Sequence, residues 1–146
     1  MEPRDYLEAS LEVLDAAHQL REALNKHALS AVGLTIEQAC ALCRIDMAGG
    51  TASVSQLAAH LSRTENATTT LLGKLVRNGH LYRERSQTGD KRVVYVRLTP
   101  QGEMTLSQFR SELMGMFQKI ADPPSPASDL LLAAQSFGAL LAQLSP

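Results

Sequence analysis

The residues best suited to chemistry in this 146-residue chain cluster between positions 63 and 97. Asn66 carries an amide that donates and accepts at once, the bidentate pattern matching an adenine edge in a DNA major groove. Thr69 and Thr70 offer hydroxyls and methyls to a base or a thymine methyl. Arg63, Lys74 and Arg77 surround them at spacings suited to phosphates. Farther along, Arg83 and Arg85 stand two residues apart, as do Asp90 and Arg92, so each pair shares a side of an extended segment. A carboxylate at Asp90 can then orient the Arg92 guanidinium. Arg97 is a weaker candidate of the same kind. From Ser62 to Arg97 there are eight Lys or Arg against three acids, while the remainder holds six basic and twelve acidic residues. The net charge of −1 therefore hides two poles, and binding of a polyanion depends on the local field. A merely solvated charged surface is the plain alternative, and it leaves the coincidence of charge with the pattern below unexplained.

Cys40 and Cys43 form a second constellation. A Cys-x-x-Cys pair suits redox chemistry or half a metal site. Here it falls inside a capped helical pattern with Ile36, Ala39 and Met47, so the expectation is buried core thiols. No second pair completes a zinc site, and His18, His27, His60 and His80 are scattered, so neither metal nor cofactor is expected. Enzyme signatures are also missing: there is no phosphate-cradling glycine loop, no Gly-x-Ser-x-Gly and no His-Glu-x-x-His.

The elements that must position the first cluster follow from periodicity. Val54, Leu57, Ala58 and Leu61 make a helical stripe, opened by a Ser53–Gln56 capping box. A second helix follows almost at once, with Ser62–Glu65 as its expected box and Asn78-Gly79 as a left-handed stop. Its buried side is Thr68, Leu71, Leu72 and Leu75, leaving Arg63, Asn66, Thr69, Thr70, Gly73 and Arg77 opposite. Two short helices so closely joined must cross steeply, as in a helix-turn-helix. Leu81, Arg83 and Arg85 then alternate with Tyr82 and Glu84, and Val94, Val96 and Leu98 with Val93, Tyr95 and Arg97, around a polar tip at 86–91. A basic β-ribbon beside such a helix can act as a wing. Thr51-Ala52 is placed to add a short third strand.

Before this segment, residues 4 to 29 read as one long helix with two apolar rows: Leu7, Leu11 and Leu14, then Val13, Ala17, Leu20, Leu24 and Ala28. Two rows predict burial on two sides. Gly33 ends that helix, and a Thr35–Gln38 box opens another that runs to about Met47. After the wing, Thr99-Pro100 starts a helix to about Ala121, Asp122-Pro-Pro-Ser-Pro126 breaks it, and a last helix covers about 127 to 144. The terminal helices are more apolar than exposed helices should be. Mutual packing of two chains would bury them, and a monomeric helical cap is the alternative. No apolar run suits a signal or a membrane span, and two unpaired cysteines fit a reducing cytoplasm.

Leu34-Thr35-x-x-Gln38, Gln56-Leu57-Ala58, Leu71-x-x-x-Leu75-x-x-x-Gly79, Asp90-Lys91-Arg92 and Leu98-Thr99-Pro100-x-Gly102 together resemble the MarR family of winged helix-turn-helix regulators. Thr70 stands where that family commonly has a basic residue, and Thr68 where it has an aliphatic one. The resemblance implies a mainly α fold with a small β-hairpin wing. The winged lobe would span 34–98, and residues 4–30 and 99–146 would form a helical dimerisation region of one MarR-like domain. It implies a homodimer, joined through Leu113, Phe117, Phe137 and Leu141 with the first helix, that sets two recognition helices on palindromic double-stranded DNA. Asp90 would brace the wing while Arg92 reaches the minor groove or its backbone. The function implied is a cytoplasmic, non-enzymatic transcriptional regulator, most often a repressor, released when a small-molecule effector enters between the dimer region and the winged lobe. Readings from other classes are a helix-turn-helix module that binds protein and a thiol-based redox sensor.

Overall fold

A computed structural model of the chain describes residues 2–120 and 126–144. The chain divides into two units, Met1–Leu113 and Met114–Pro146.

In the first unit the chain starts with α1 (Pro3–Leu24), passes through a π-helical turn at Asn25–Leu29, and ends this helical run with α2 (Ser30–Val32). Gly33, at φ 67°, stops it in the left-handed conformation that only glycine adopts without strain. The two-sided burial expected of this helix is not found among the described residues. No residue of α1 is buried, and Leu7, Leu11 and Leu14 are 60%, 52% and 64% exposed. The run meets the core at its end, through Leu24, Ala28, Leu29 and Val32.

The lobe that follows matches its pattern closely. The expected Thr35–Gln38 box opens α3 (Ile36–Met47), with the Gln38 amide N–H donating to the Thr35 hydroxyl. Strand β1 (Thr51–Ser53) leads into α4 (Val54–His60), which the Ser53–Gln56 box caps reciprocally. Helix α5 (Glu65–Arg77) starts later than its expected box. Ser62 lies at φ 51° in the turn, and Thr64 is the N-cap, accepting from the Ala67 amide. A tight link between α4 and α5 needs a left-handed residue, and Ser62 supplies it, so Ser62 cannot also cap. Glu65 instead accepts from the Ser55 hydroxyl at 2.8 Å, fastening α5 to α4.

Thr68, Leu71, Leu72 and Leu75 are the buried side of α5, as their spacing requires. Thr68 is fully buried where an aliphatic residue would be expected. Its hydroxyl donates to the Thr64 carbonyl, so no polar group is left unsatisfied.

Strands β2 (Leu81–Arg85) and β3 (Val94–Leu98) pair antiparallel, and β1 adds to β3, giving the order β1-β3-β2. Leu81 faces Leu98, Arg83 faces Val96 and Arg85 faces Val94. Leu81 and Val96 join Leu42, Ile45, Leu57, Leu72, Leu75 and Leu106 in the core. Helix α6 (Pro100–Ile120) begins at a junction that accounts for the Leu-Thr-Pro-x-Gly motif. The Thr99 hydroxyl donates to the Gly79 carbonyl and accepts from the Gly102 amide, while the Thr99 amide donates to the His80 carbonyl. A Cβ on Gly102 would lie 2.1 Å from that carbonyl oxygen, so only glycine permits the approach.

The cysteines depart from expectation. Cys40 is exposed and Cys43 half-buried, and Met47, assigned to the same stripe, is 75% exposed. The core-facing stripe of α3 is Gln38, Ala39, Ala41, Leu42 and Ile45, which turns the two thiols to its edge.

The second unit holds the end of α6 and α7 (Pro126–Leu144). Of the expected break at 122–126, residues 122–125 lie outside the described residues, and Pro126 opens α7 at its first position. Among the described residues no single helix is long and apolar enough to cross a membrane.

Candidate nucleic-acid interface

The polar side of α5 is open. Asn66, Thr69, Thr70, Lys74 and Arg77 are all exposed, as is Arg63 in the turn ahead of the helix. Gly73, expected among them, is buried, because Arg77 and Arg83 close over it. A terminal guanidinium nitrogen of each lies 3.5 Å from where a glycine Cβ would stand. Arg83 thereby brings β2 against α5. Thr70 donates its hydroxyl to the Asn66 carbonyl at 3.1 Å, so its methyl is the freer group.

Strand alternation explains which wing arginines belong to the site. Arg83 and Arg85 share the face whose inner residues Leu81 and Val96 are buried, and beyond the core that face runs out beside α5. It forms one wall of an open cleft of about 710 Å³, lined also by Thr69, Glu65, Arg92 and Val94. Arg97 lies on the opposite face and is committed to Glu84 on the neighbouring strand. Arg97 offsets Glu84, while Glu65 accepts from the Ser55 hydroxyl and keeps its charge, so Arg83, Arg85 and Arg92 outnumber the one acid of the cleft that no cation offsets.

At the tip, the Asp90 carboxylate accepts from the Arg92 backbone amide at 3.0 Å and lies 3.8 Å from its guanidinium. The carboxylate thus fixes the backbone of the turn and leaves the Arg92 side chain extended into solvent.

Sequence reasoning missed Glu37. Its carboxylate pairs with Arg21 of α1 and lies 3.8 Å from Arg63. Glu37's own backbone amide, near the start of α3, is the main cause that lowers its pKa; burial opposes, and Arg21 and Arg63 lower it further. Partners 16 and 26 positions away leave no local signal of such a pair.

Of the four residues assigned to chain pairing, Leu113 is half-buried and packs against the core of its own unit. Phe117 is half-buried in the second unit, where Phe137 and Leu141 are exposed. Among the described residues no group of three or more His, Cys, Asp or Glu is placed to hold a metal.

Residues 34–94 match the MarR family model. No curated protein matches the chain. Solved structures do, at low identity. The transcriptional regulator BldR from Sulfolobus solfataricus is 20% identical with a TM-score of 0.77, over 98% of this chain and 99% of that one. A mutant MarR from E. coli complexed with operator DNA is 22% identical, with a TM-score of 0.71 over the whole of both chains. YusO from Bacillus subtilis is 19% identical, with a TM-score of 0.64 over 99% of this chain and 100% of that one. At these identities the likeness is one of fold.

Proposed function

Since residues 34–94 are a winged helix-turn-helix of the MarR family, we propose that the chain is a sequence-specific, DNA-binding transcriptional regulator acting in the cytoplasm. The observation that carries this reading is the cleft between α5 and β2. An exposed row of hydrogen-bonding side chains faces out on a helix, and across from it on the wing stand Arg83 and Arg85, which have no acidic partner among the described residues. Asn66 and Thr69 would read base edges in the major groove, with the Thr70 methyl against a thymine. Arg63, Lys74, Arg77, Arg83 and Arg85 would hold phosphates, and Arg92, positioned by Asp90, would enter the minor groove or meet its backbone. The solved E. coli MarR, caught on operator DNA, lends the fold a precedent for such use.

A homodimer would present two such sites to a palindrome with half-sites about 34–36 Å apart, one turn of DNA. Exposed leucines along α1 and α7 support this, with Leu113, Phe117, Phe137 and Leu141 as the proposed contacts. The action would be repression, relieved by a small molecule that binds one spacing of the two lobes better than the other, since only such a difference can shift the equilibrium.

A salt titration of binding to the DNA upstream of its own gene, against random DNA, tests the reading. Expected is a clear preference for the upstream sequence at each salt concentration, with log K falling linearly in log salt for both. Equal affinity for both, or none for either, would mean a protein-binding module instead. Sedimentation at micromolar concentration should give a dimer, and a well-folded monomer would end the proposed use of the terminal helices.

A further inference from the structure

Cys40 and Cys43 have no part in the DNA reading, and α3 sets them one turn apart along one side. Residues three apart on a helix carry Cβ atoms about 5–6 Å from each other. A relaxed disulfide needs about 3.5–4.5 Å. On an intact helix the pair is therefore spaced too widely for a direct S–S bond. Helix α3 is held intact by its Thr35–Gln38 box and by Ala39, Ala41, Leu42 and Ile45 in the core. An atom placed between the two sulfurs lengthens the bridge and removes the mismatch. Exposure of Cys40 gives such an atom a way in, and the half-buried Cys43 gives it a wall. The next carboxylate on that side, Asp46, is already paired with Arg110 of α6. What remains is two soft sulfur donors, and among the described residues no third His, Cys, Asp or Glu joins them in a group placed to hold a metal. Thiolates favour soft cations, and a structural zinc site takes four ligands.

We propose that Cys40 and Cys43 form a dithiol site for a soft, two-coordinate cation of the mercuric or cuprous kind, held as S–metal–S across one turn of α3. Each thiol releases its proton to solvent, two sulfur–metal bonds form, and two weaker ligands leave the metal. No electron is transferred. Burial raises the Cys43 pKa, Cys40 raises it further, and the Arg110 guanidinium acts against them. Uptake must displace that proton and therefore strengthens as pH rises.

The test uses the full-length, reduced protein and mercuric chloride. Native mass spectrometry should find one mercury per chain, and thiol counting should find both cysteines blocked together. Cys40→Ser and Cys43→Ala should each weaken uptake about 100-fold or more, because the second sulfur then no longer acts at high effective concentration. Zinc at the same concentration should not compete. Circular dichroism checks folding, and the exposed Cys40 provides a variant that leaves the core untouched. Tight uptake retained in Cys40→Ser, or one mercury shared between two chains, would overturn the site.

Discussion

Helices α5 and α1 lie in the same unit and spend their apolar residues in opposite ways. In α5 each large aliphatic residue of the inward side is covered: Leu71, Leu72 and Leu75 are buried, and the outward side is polar. In α1 the apolar rows are as regular, yet Tyr6, Leu7, Leu11 and Leu14 are all more than half exposed. The periodicity of a helix thus states that a face needs a partner, but not where that partner comes from. For α5 the partner is the chain's own core. For α1 it is proposed to be a second chain, with α7, whose Leu131, Leu140 and Leu144 are exposed too, serving the same end.

The sharpest way to break this contrast is to truncate one leucine in each helix. Leu75→Ala should cost about 2–5 kcal/mol, because the residue is fully buried and leaves a cavity. Denaturant titration of the dimer and of a diluted sample should find the same loss in both. Leu11→Ala should leave the diluted sample's stability nearly unchanged and shift dimerisation toward higher concentration. A loss from Leu11→Ala that is independent of concentration would mean that α1 is covered within its own chain.

Much of the lobe was legible because its signals are local. Capping boxes at Thr35 and Ser53 lie within four residues, the stripe of α5 repeats every turn, and alternation in the wing separates Arg83 and Arg85 from Arg97 without any structure. Where two local signals competed, the reading failed. Ser62 and Thr64 are both good caps, and only the geometry of the turn, which requires a positive φ at Ser62, selects Thr64. The thiols of α3 were misplaced by the same ambiguity, since a helix with small residues on several sides does not declare which of them face the core. The π-helical turn and the Glu37 pairs left no trace at all, because one is a one-residue change of register and the other joins distant positions.

Within the polar side of α5, Asn66→Ala should cost about 1–3 kcal/mol at the cognate site and little on random DNA. Competition binding with the two DNAs measures the difference. Equal losses would reduce Asn66 to a residue that sets the helix on the backbone.

A smaller effect is expected at the wing tip. Arg92→Ala should weaken specific and random binding alike and lower the salt slope of log K by about one per subunit. Asp90→Ala should do the same more weakly, since the carboxylate holds the Arg92 amide and lies near its guanidinium. An unchanged slope, with only a slight shift in Tm, would make the pair a surface ion pair of roughly 0–1 kcal/mol and take the tip out of the interface.

The smallest effect expected is at Glu37, which joins the two regions compared above by pairing with Arg21 of α1 and approaching Arg63 ahead of α5. Its folded pKa lies below 4.5, through its own backbone amide first and the two guanidinium groups after it. A lowered carboxylate pKa means that the unfolded chain binds the proton more readily. The pairing therefore stabilises the fold above pH 4.5 and loses its contribution as pH falls through the depressed value. Because both arginines are partly exposed, solvent screening keeps the contribution at about 1 kcal/mol or less. Glu37→Gln should thus be slightly less stable than the unaltered chain near neutral pH, and the two unfolding curves should converge in acid. A difference that stays constant down through pH 4 would assign Glu37 a role in packing or hydrogen bonding that needs no charge, and α1 would then have no electrostatic tie to the turn that presents Arg63.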